Sequence, residues 1–259
     1  MFDDRGVTAA LALSARPASV PRERSVLDSG NVDVGALVGH IDRLARRAAP
    51  PLPVADALRA VLPDGLPWGS TVAVHGSVSL LLALLGAASR EGAWSALVAM
   101  PPMSVEAALE YGVDPARLAV VPDPGAEWTT AVSVLIDALD LVVVRPPATL
   151  PGVLGRRLSA RARSKDAVLL TYLGGAGLAH WPGADVALTA TTIGWTGVGD
   201  PDGHGRLRGR QVKLSASGRG RHAPPRTIHC WLPAPLGRGI DSISPPSPEV
   251  TRLDDRRAG

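Results

Sequence analysis

Lysine is nearly absent from this chain of 259 residues, which carries only Lys165 and Lys213 although lysine and arginine together number 27. Cys230 is the only cysteine, so the chain can form no intramolecular disulfide and no cysteine-based zinc cluster. Aromatic residues make up 3% of the chain, so the core must be built from Leu, Val and Ala. No segment reaches the roughly 18 uninterrupted apolar residues of a membrane span, which predicts a cytoplasmic protein without a membrane partner.

Apolar residues are nevertheless abundant, because 46% of the chain is hydrophobic and a sizeable core is possible. The formal charge is a mild +3 and comes almost entirely from arginine. Arginine makes forked contacts with phosphate and carboxylate, but a GC-rich genome would favour the same residue type. The basic composition therefore leaves both explanations open.

Short apolar runs alternate with helical patterns from Ser70 onward, which predicts an α/β fold with a mostly parallel sheet covered by helices. After Gly174 three strand-like segments follow one another without helices, which predicts an antiparallel extension at the C-terminal edge of the sheet. We expect four regions: a disordered tail over residues 1–34, a helical segment over 35–66, the core over 67–236 and a flexible tail over 237–259.

The stretch from Ser70 to Gly92 reads as a strand, a glycine turn and a helix, an arrangement that often holds a nucleotide phosphate. A working phosphate loop has the form GxxxxGK[ST], in which the lysine neutralises the phosphates and the hydroxyl holds Mg²⁺. Here Gly76 is followed by Ser77, Ser79 and a run of leucines, without the second glycine and without a lysine. This pattern indicates a degenerate loop whose serines cap the helix.

The strand that would carry an acidic Mg²⁺ partner ends instead in Arg145, a positive charge that would repel the metal. The end of the second strand offers no general base. These absences predict a protein with no catalytic residues and no cofactor. The scattered histidines fit no zinc-ligand spacing, so no metal site is predicted either.

Three stretches resemble the RecA-type recombinase core, and together they cover roughly residues 50–233. They are "DALRAVLPDGLPWGSTVAVHG" (56–76), "YGVDPARLAVVPDPGAEWTTAVSVLIDALDLVVV" (111–144) and "GRLRGRQVKLSASGRGRHAPPRTIHCWL" (205–232). The two loops that bind DNA in recombinases correspond to "RPPATLPG" and "GGAGLAHWPGAD", which are short and poor in basic residues.

A RecA-like core without its ATPase residues, followed by a proline-rich tail, is similar to the ImuA-type mutagenesis accessory proteins of the actinobacterial branch. That resemblance implies a role in DNA-damage-induced (SOS) mutagenesis and translesion synthesis. It also implies two partners: an ImuB-like Y-family polymerase homologue and, through it, an error-prone replicative-type polymerase. A cell-division inhibitor is an alternative, since such sequences resemble the ImuA type at a low level.

Two further segments are candidates for contacts with DNA or protein. No acidic residue occurs between Gly203 and Ile240, and the alternation of a strand places Arg206, Arg208 and Arg210 on one face. This basic set, which could meet phosphates or only solvate an edge strand, consists of Arg206, Arg208, Arg210, Lys213, Arg219 and Arg221. The apolar residues of the C-terminal tail could anchor a partner, and they are Ile240, Ile243, Val250 and Leu253.

Overall fold

The computed structural model describes residues 49–174, 180–198, 205–220, 223–235 and 239–242. The regular elements alternate in type through the first two thirds of this part of the chain and are strands afterwards. They are β1 (Thr71–His75), α1 (Val78–Arg90), β2 (Ser95–Val98), α2 (Val105–Glu110), β3 (Leu118–Val121), α3 (Trp128–Ala138), β4 (Leu141–Val144), α4 (Gly152–Lys165), β5 (Val168–Leu173), β6 (Val186–Val198), β7 (Gly205–Gly218), β8 (Arg226–Trp231) and β9 (Asp241–Ser242).

The strands form one sheet in the order β3-β2-β4-β5-β1-β6-β7-β8-β9. Neighbours from β3 to β6 pair in parallel, and β7, β8 and β9 each pair antiparallel with the strand before them. The predicted fold class, a mostly parallel α/β sheet with antiparallel strands at the C-terminal end, is therefore confirmed.

The first of the three late strands departs from the sequence prediction, because β6 pairs in parallel with β1 on one side and antiparallel with β7 on the other. Asp185 fixes this arrangement at the start of β6. Its carboxylate accepts a hydrogen bond of 2.8 Å from the Thr71 N–H, and its own N–H donates to the Thr71 carbonyl at 2.8 Å. Such a clamp is invisible in the apolar pattern of the strand.

The sheet separates two apolar cores, because side chains alternate between the two faces of each strand. Val72, Val143 and Leu170 face the core that α1 and α2 cover, whereas Ala73 and Val142 face the core that α3 and α4 cover. The parallel strands are buried on both faces, which explains why they read as continuous apolar runs.

Residues 49–66 pack onto the first core. A short 3₁₀ helix spans Asp56–Leu58, and a bridge pairs Leu52 with Leu66. The side chain of Leu58 is fully buried there. The first part of the predicted helical segment, residues 35–48, lies outside the described residues. At the other end, β9 extends the sheet beyond residue 236, where the sequence predicts the core to end.

Helix α1 lies deep in the first core, since every residue from Leu80 to Ser89 is buried. Gly86, in its middle, passes directly beneath the backbone carbonyl of Tyr111: a methyl group on Gly86 would lie 1.8 Å from that oxygen. A glycine is thus required here by close approach of the two backbones rather than by a special dihedral angle.

Strands β6, β7 and β8 share a surface that we call the open face, defined by seven exposed or half-buried polar side chains: Thr189, Thr191, Lys213, Ser215, Ser217, Thr227 and His229. The half-buried Ala187 and Trp231 border these residues in the same rows. The opposite face of the same strands carries Val212, Leu214 and Ala216, which belong to the first core.

Candidate functional site: the closed turn after the first strand

The turn between β1 and α1 is built from three residues with separate tasks. His75 ends the strand, Gly76 takes a left-handed conformation at φ 77°, and Ser77 caps the helix. The Ser77 hydroxyl accepts a hydrogen bond of 3.2 Å from the Leu80 N–H, so one free donor of the first helical turn is satisfied within the chain.

Arg210 reaches this turn from β7 and closes it. Its Nη2 donates to the Ser77 hydroxyl at 2.8 Å, and its Nε donates to the carbonyl of Leu232 at 2.7 Å. The guanidinium also lies over the Trp195 ring, 5.7 Å from the ring centre, at a distance typical of a cation–π contact. Two residues predicted for different sites, Ser77 and Arg210, therefore meet in one place.

The position of Arg210 follows from the register of the sheet. Arg210 pairs with Trp195 on β6. On the other side, its N–H donates to the Pro233 carbonyl at 3.0 Å and its carbonyl accepts from the Leu232 N–H at 2.7 Å. Its side chain lies in the same row of β7 as the buried Val212, so it points toward the core side of the sheet.

Neutral groups surround the guanidinium on the core side. Burial raises the pKa of Tyr111 to about 12, and the Ser79 hydroxyl and the charge of Arg210 oppose that rise. Burial likewise raises the pKa of Cys230 to about 11, against the lowering effect of Arg210. Both groups remain protonated at neutral pH, so Arg210 carries the positive charge of this cluster.

Arg145 lies apart from the closed turn, because it follows β4 and β5 stands between β4 and β1. Its side chain is exposed and lines a cavity at the carboxyl ends of the strands. Asp140 stands at the opposite end of β4, where its carboxylate accepts a hydrogen bond of 2.9 Å from the Trp94 N–H. The one acidic residue beside this strand is thus remote from Arg145.

The basic set predicted on the late strands does not form one row. Arg208 is exposed on the side of β7 that also carries Arg210, whereas Lys213 belongs to the open face. Arg219 is exposed just after β7. The side chain of Arg206 and all of Arg221 lie outside the described residues.

Of the four apolar residues predicted to anchor a partner in the C-terminal tail, one lies among the described residues. Ile240 is half-buried and packs against the first core, so its side chain is already engaged within the fold. Ile243, Val250 and Leu253 lie outside the described residues.

The described part of the chain contains neither a cluster of metal ligands nor a membrane-spanning helix. Within it, no three His, Cys, Asp or Glu side chains gather in a way that could hold a metal ion. Of the helices described, none combines the length and the apolar character needed to cross a bilayer.

The fold and the site together define a class of protein: a parallel α/β sheet with helices on both faces, whose β1–α1 turn is closed by an arginine of the same chain. Comparison with known proteins gives a family for the chain. The family model described as the MT3502 N-terminal domain matches residues 60–183. Over 173 residues the chain is 37% identical to Rv3395c, an uncharacterized protein of Mycobacterium tuberculosis (strain ATCC 25618 / H37Rv). That alignment covers 61% of this chain and 78% of Rv3395c, so the chain belongs to the family of Rv3395c.

Proposed function

We propose that this protein is a non-catalytic accessory protein of the ImuA type, with a RecA-like core, that acts in DNA-damage-induced mutagenesis and translesion synthesis. In this proposal it works in the cytoplasm by binding an ImuB-like Y-family polymerase homologue and, through it, an error-prone replicative-type polymerase. The resemblance of residues 56–76, 111–144 and 205–232 to the RecA-type core supports the proposal, as does the succession of a parallel sheet and late antiparallel strands.

The closed turn is the observation that carries the non-catalytic part of the proposal. A triphosphate with its Mg²⁺ needs a cation, free backbone donors and a carboxylate near the end of the sheet. Here Ser77 accepts from Leu80 and from Arg210, and β4 leads into Arg145 rather than into an acidic residue. These contacts favour a turn that is stable without nucleotide.

Calorimetry with Mg-ATP tests this part directly. We expect no saturable binding and no hydrolysis by the full chain. The Arg210→Ala variant opens the turn yet supplies no lysine, so it should also fail to bind. Saturable micromolar binding of Mg-ATP by the wild-type chain would contradict the proposal.

Affinity capture from DNA-damaged cells tests the proposed binding of a polymerase partner. The full chain is compared with a chain ending at residue 242, which keeps β9 and its pairing with β8. We expect the full chain to retain polymerase-like partners, and loss on truncation would place the contact in the tail. Failure of the full chain to capture any polymerase-like protein would contradict the role in translesion synthesis.

The open face favours a second candidate function, which is binding of single-stranded nucleic acid. It offers five hydroxyls together with Lys213 and His229, and none of these seven side chains is acidic. Hydroxyl and ammonium groups are donors to phosphate oxygens, so such a face suits a sugar–phosphate backbone.

A DNA-binding measurement separates this function from the first. Lys213→Glu, on the open face, is compared with Arg157→Glu, a charge reversal of the same size on α4. If the open face binds DNA, wild-type affinity falls steeply with salt and only Lys213→Glu weakens it strongly. Equal affinity of the two variants would exclude the open face.

A further inference from the structure

A cavity of about 490 Å³ opens at the carboxyl ends of β2, β4 and β5, apart from the closed turn. Residues that directly follow these strands form much of its wall: Ala99 after β2, Arg145 after β4 and Gly174 after β5. Trp128 and Tyr172 contribute aromatic side chains to the same wall. The volume lies within the range of small-molecule sites.

The topology of the sheet explains why a crevice exists here. The chain leaves β2 toward β3 on one side, and it leaves β4 toward β5 on the other side. The two connections diverge from adjacent strands, so the ends of β2 and β4 remain uncovered. In open α/β sheets, ligands bind in crevices of this kind.

The cavity exposes a charged group whose bonding capacity is unused within the described part of the chain. Arg145 makes no ion pair with a described residue, although its side chain lines the opening. Trp128 lines the same cavity but is only 7% exposed, and its Nε1–H is buried without a hydrogen-bond partner among the described residues. The Arg145 guanidinium is therefore the group that a ligand can reach.

The backbone beneath the cavity is strained. Ala99 adopts φ 54°, in the left-handed region that residues with a Cβ rarely enter, and its N–H donates to the Val121 carbonyl at 2.9 Å. Backbone strain of this type concentrates at ligand sites, where the surrounding structure enforces it. The backbone strain at Ala99 and the unpaired guanidinium of Arg145 thus coincide at one crevice.

We propose that this cavity binds a small ligand that carries one carboxylate on a flat apolar ring. The forked guanidinium of Arg145 matches a carboxylate, and the Trp128 and Tyr172 rings in the wall accommodate a flat body. The carboxylate of Asp123 also lines the cavity and would repel a dianion such as phosphate. A single negative charge therefore fits the site better than a double one.

Benzoate, benzamide and inorganic phosphate are suitable probes, titrated separately while the tryptophan indole N–H signals are followed by nuclear magnetic resonance. The chain has six tryptophans, and Trp128→Phe identifies the signal of Trp128. Benzoate is expected to shift this signal saturably, whereas benzamide, which has the same ring but no charge, is expected to bind at least about tenfold more weakly. Phosphate should leave the signal in place.

Substitution of Arg145 completes the test. Arg145→Gln should weaken benzoate binding about tenfold or more, because a charge-assisted hydrogen bond is lost. Arg145→Lys should restore part of the affinity, and Arg157→Gln, which removes an arginine outside the cavity, should have no effect. Unchanged affinity in Arg145→Gln, absence of a shift with benzoate, or equal binding of phosphate would each overturn the assignment.

Discussion

Arg210 is the residue whose role differs most between its sequence pattern and its place in the fold. Alternation along β7 groups it with Arg208, which is exposed as expected for a contact residue. The same alternation also groups it with Val212 and Leu214, which are buried. The sequence thus contained a signal for a core-facing arginine, but the contact with Ser77 depends on the sheet order, which no local pattern encodes.

Replacing Arg210 with Ala removes two charge-assisted hydrogen bonds and leaves the Leu232 carbonyl without the Arg210 Nε donor. We expect the free energy of unfolding to fall by about 2–3 kcal/mol, measured by chemical denaturation. The free energy of unfolding of Arg210→Lys should lie between those of the wild type and Arg210→Ala, since an ammonium cannot reproduce the forked contact. The exposed Arg208→Ala is the control and should change stability by less than about 0.5 kcal/mol. Equal effects of the two alanine variants would contradict an internal role for Arg210.

Cys230 gives a prediction for alkaline pH. Burial raises its pKa from 9.0 to about 11 in the folded protein, so the folded state holds the thiol proton more tightly than the unfolded state. The contribution of the Cys230 thiol to the free energy of unfolding is fully present below pH 9. It falls by on the order of 2 kcal/mol as the pH rises toward 11. Denaturation at several pH values should show a shallower decline between pH 9 and 11 for Cys230→Ala. Parallel curves for the two proteins would contradict this assignment.

Helix α1 shows how an element can follow from sequence while its packing does not. The run of leucines and alanines predicts a helix close to its observed bounds, and the Ser77 cap was also expected. The need for Gly86 could not be predicted, because it arises from the carbonyl of Tyr111, which the chain brings over the helix from α2.

Gly86→Ala should therefore destabilise the protein, although alanine normally favours a helix interior by about 1 kcal/mol. A methyl group 1.8 Å from a backbone oxygen forces the two backbones apart, at an expected loss of at least about 2 kcal/mol in unfolding free energy. Gly152→Ala at the start of α4 is a matched control, since its nearest neighbours lie 3.5 Å away or more. Thermal unfolding that ranks both variants equally would contradict the close approach.

At the scale of the whole molecule, the parallel part of the sheet was predictable and its C-terminal limit was not. Continuous apolar runs separated by helical patterns specify buried parallel strands, and β1 to α4 follow the alternation predicted from Ser70 onward. Strand β9 has only two residues and no apolar run, so nothing local distinguishes it from the tail. The cavity could not be predicted from the sequence either, because residues from several separate segments form its wall.

The extension of the sheet to β9 predicts the effect of truncation. A chain ending at residue 236 loses the pairing of Ser242 with Cys230 and the packing of Ile240 on the first core. We expect its unfolding free energy to be lower by on the order of 1–2 kcal/mol than that of a chain ending at residue 242. Identical denaturation midpoints for the two chains would show that β9 contributes nothing to stability.

The central position of β1 governs how the protein can acquire its structure during synthesis. Thr71 pairs with Leu169, and Val72 pairs with Val186. Strand β1 therefore cannot pair with either neighbour until most of the chain has left the ribosome. The β7–β8 meander, by contrast, pairs residues close in sequence. Contacts between distant segments slow folding, so the nascent chain should expose its leucine-rich helix α1 for longer than a protein of local contacts would. Molecular chaperones would then encounter this protein chiefly through its first half.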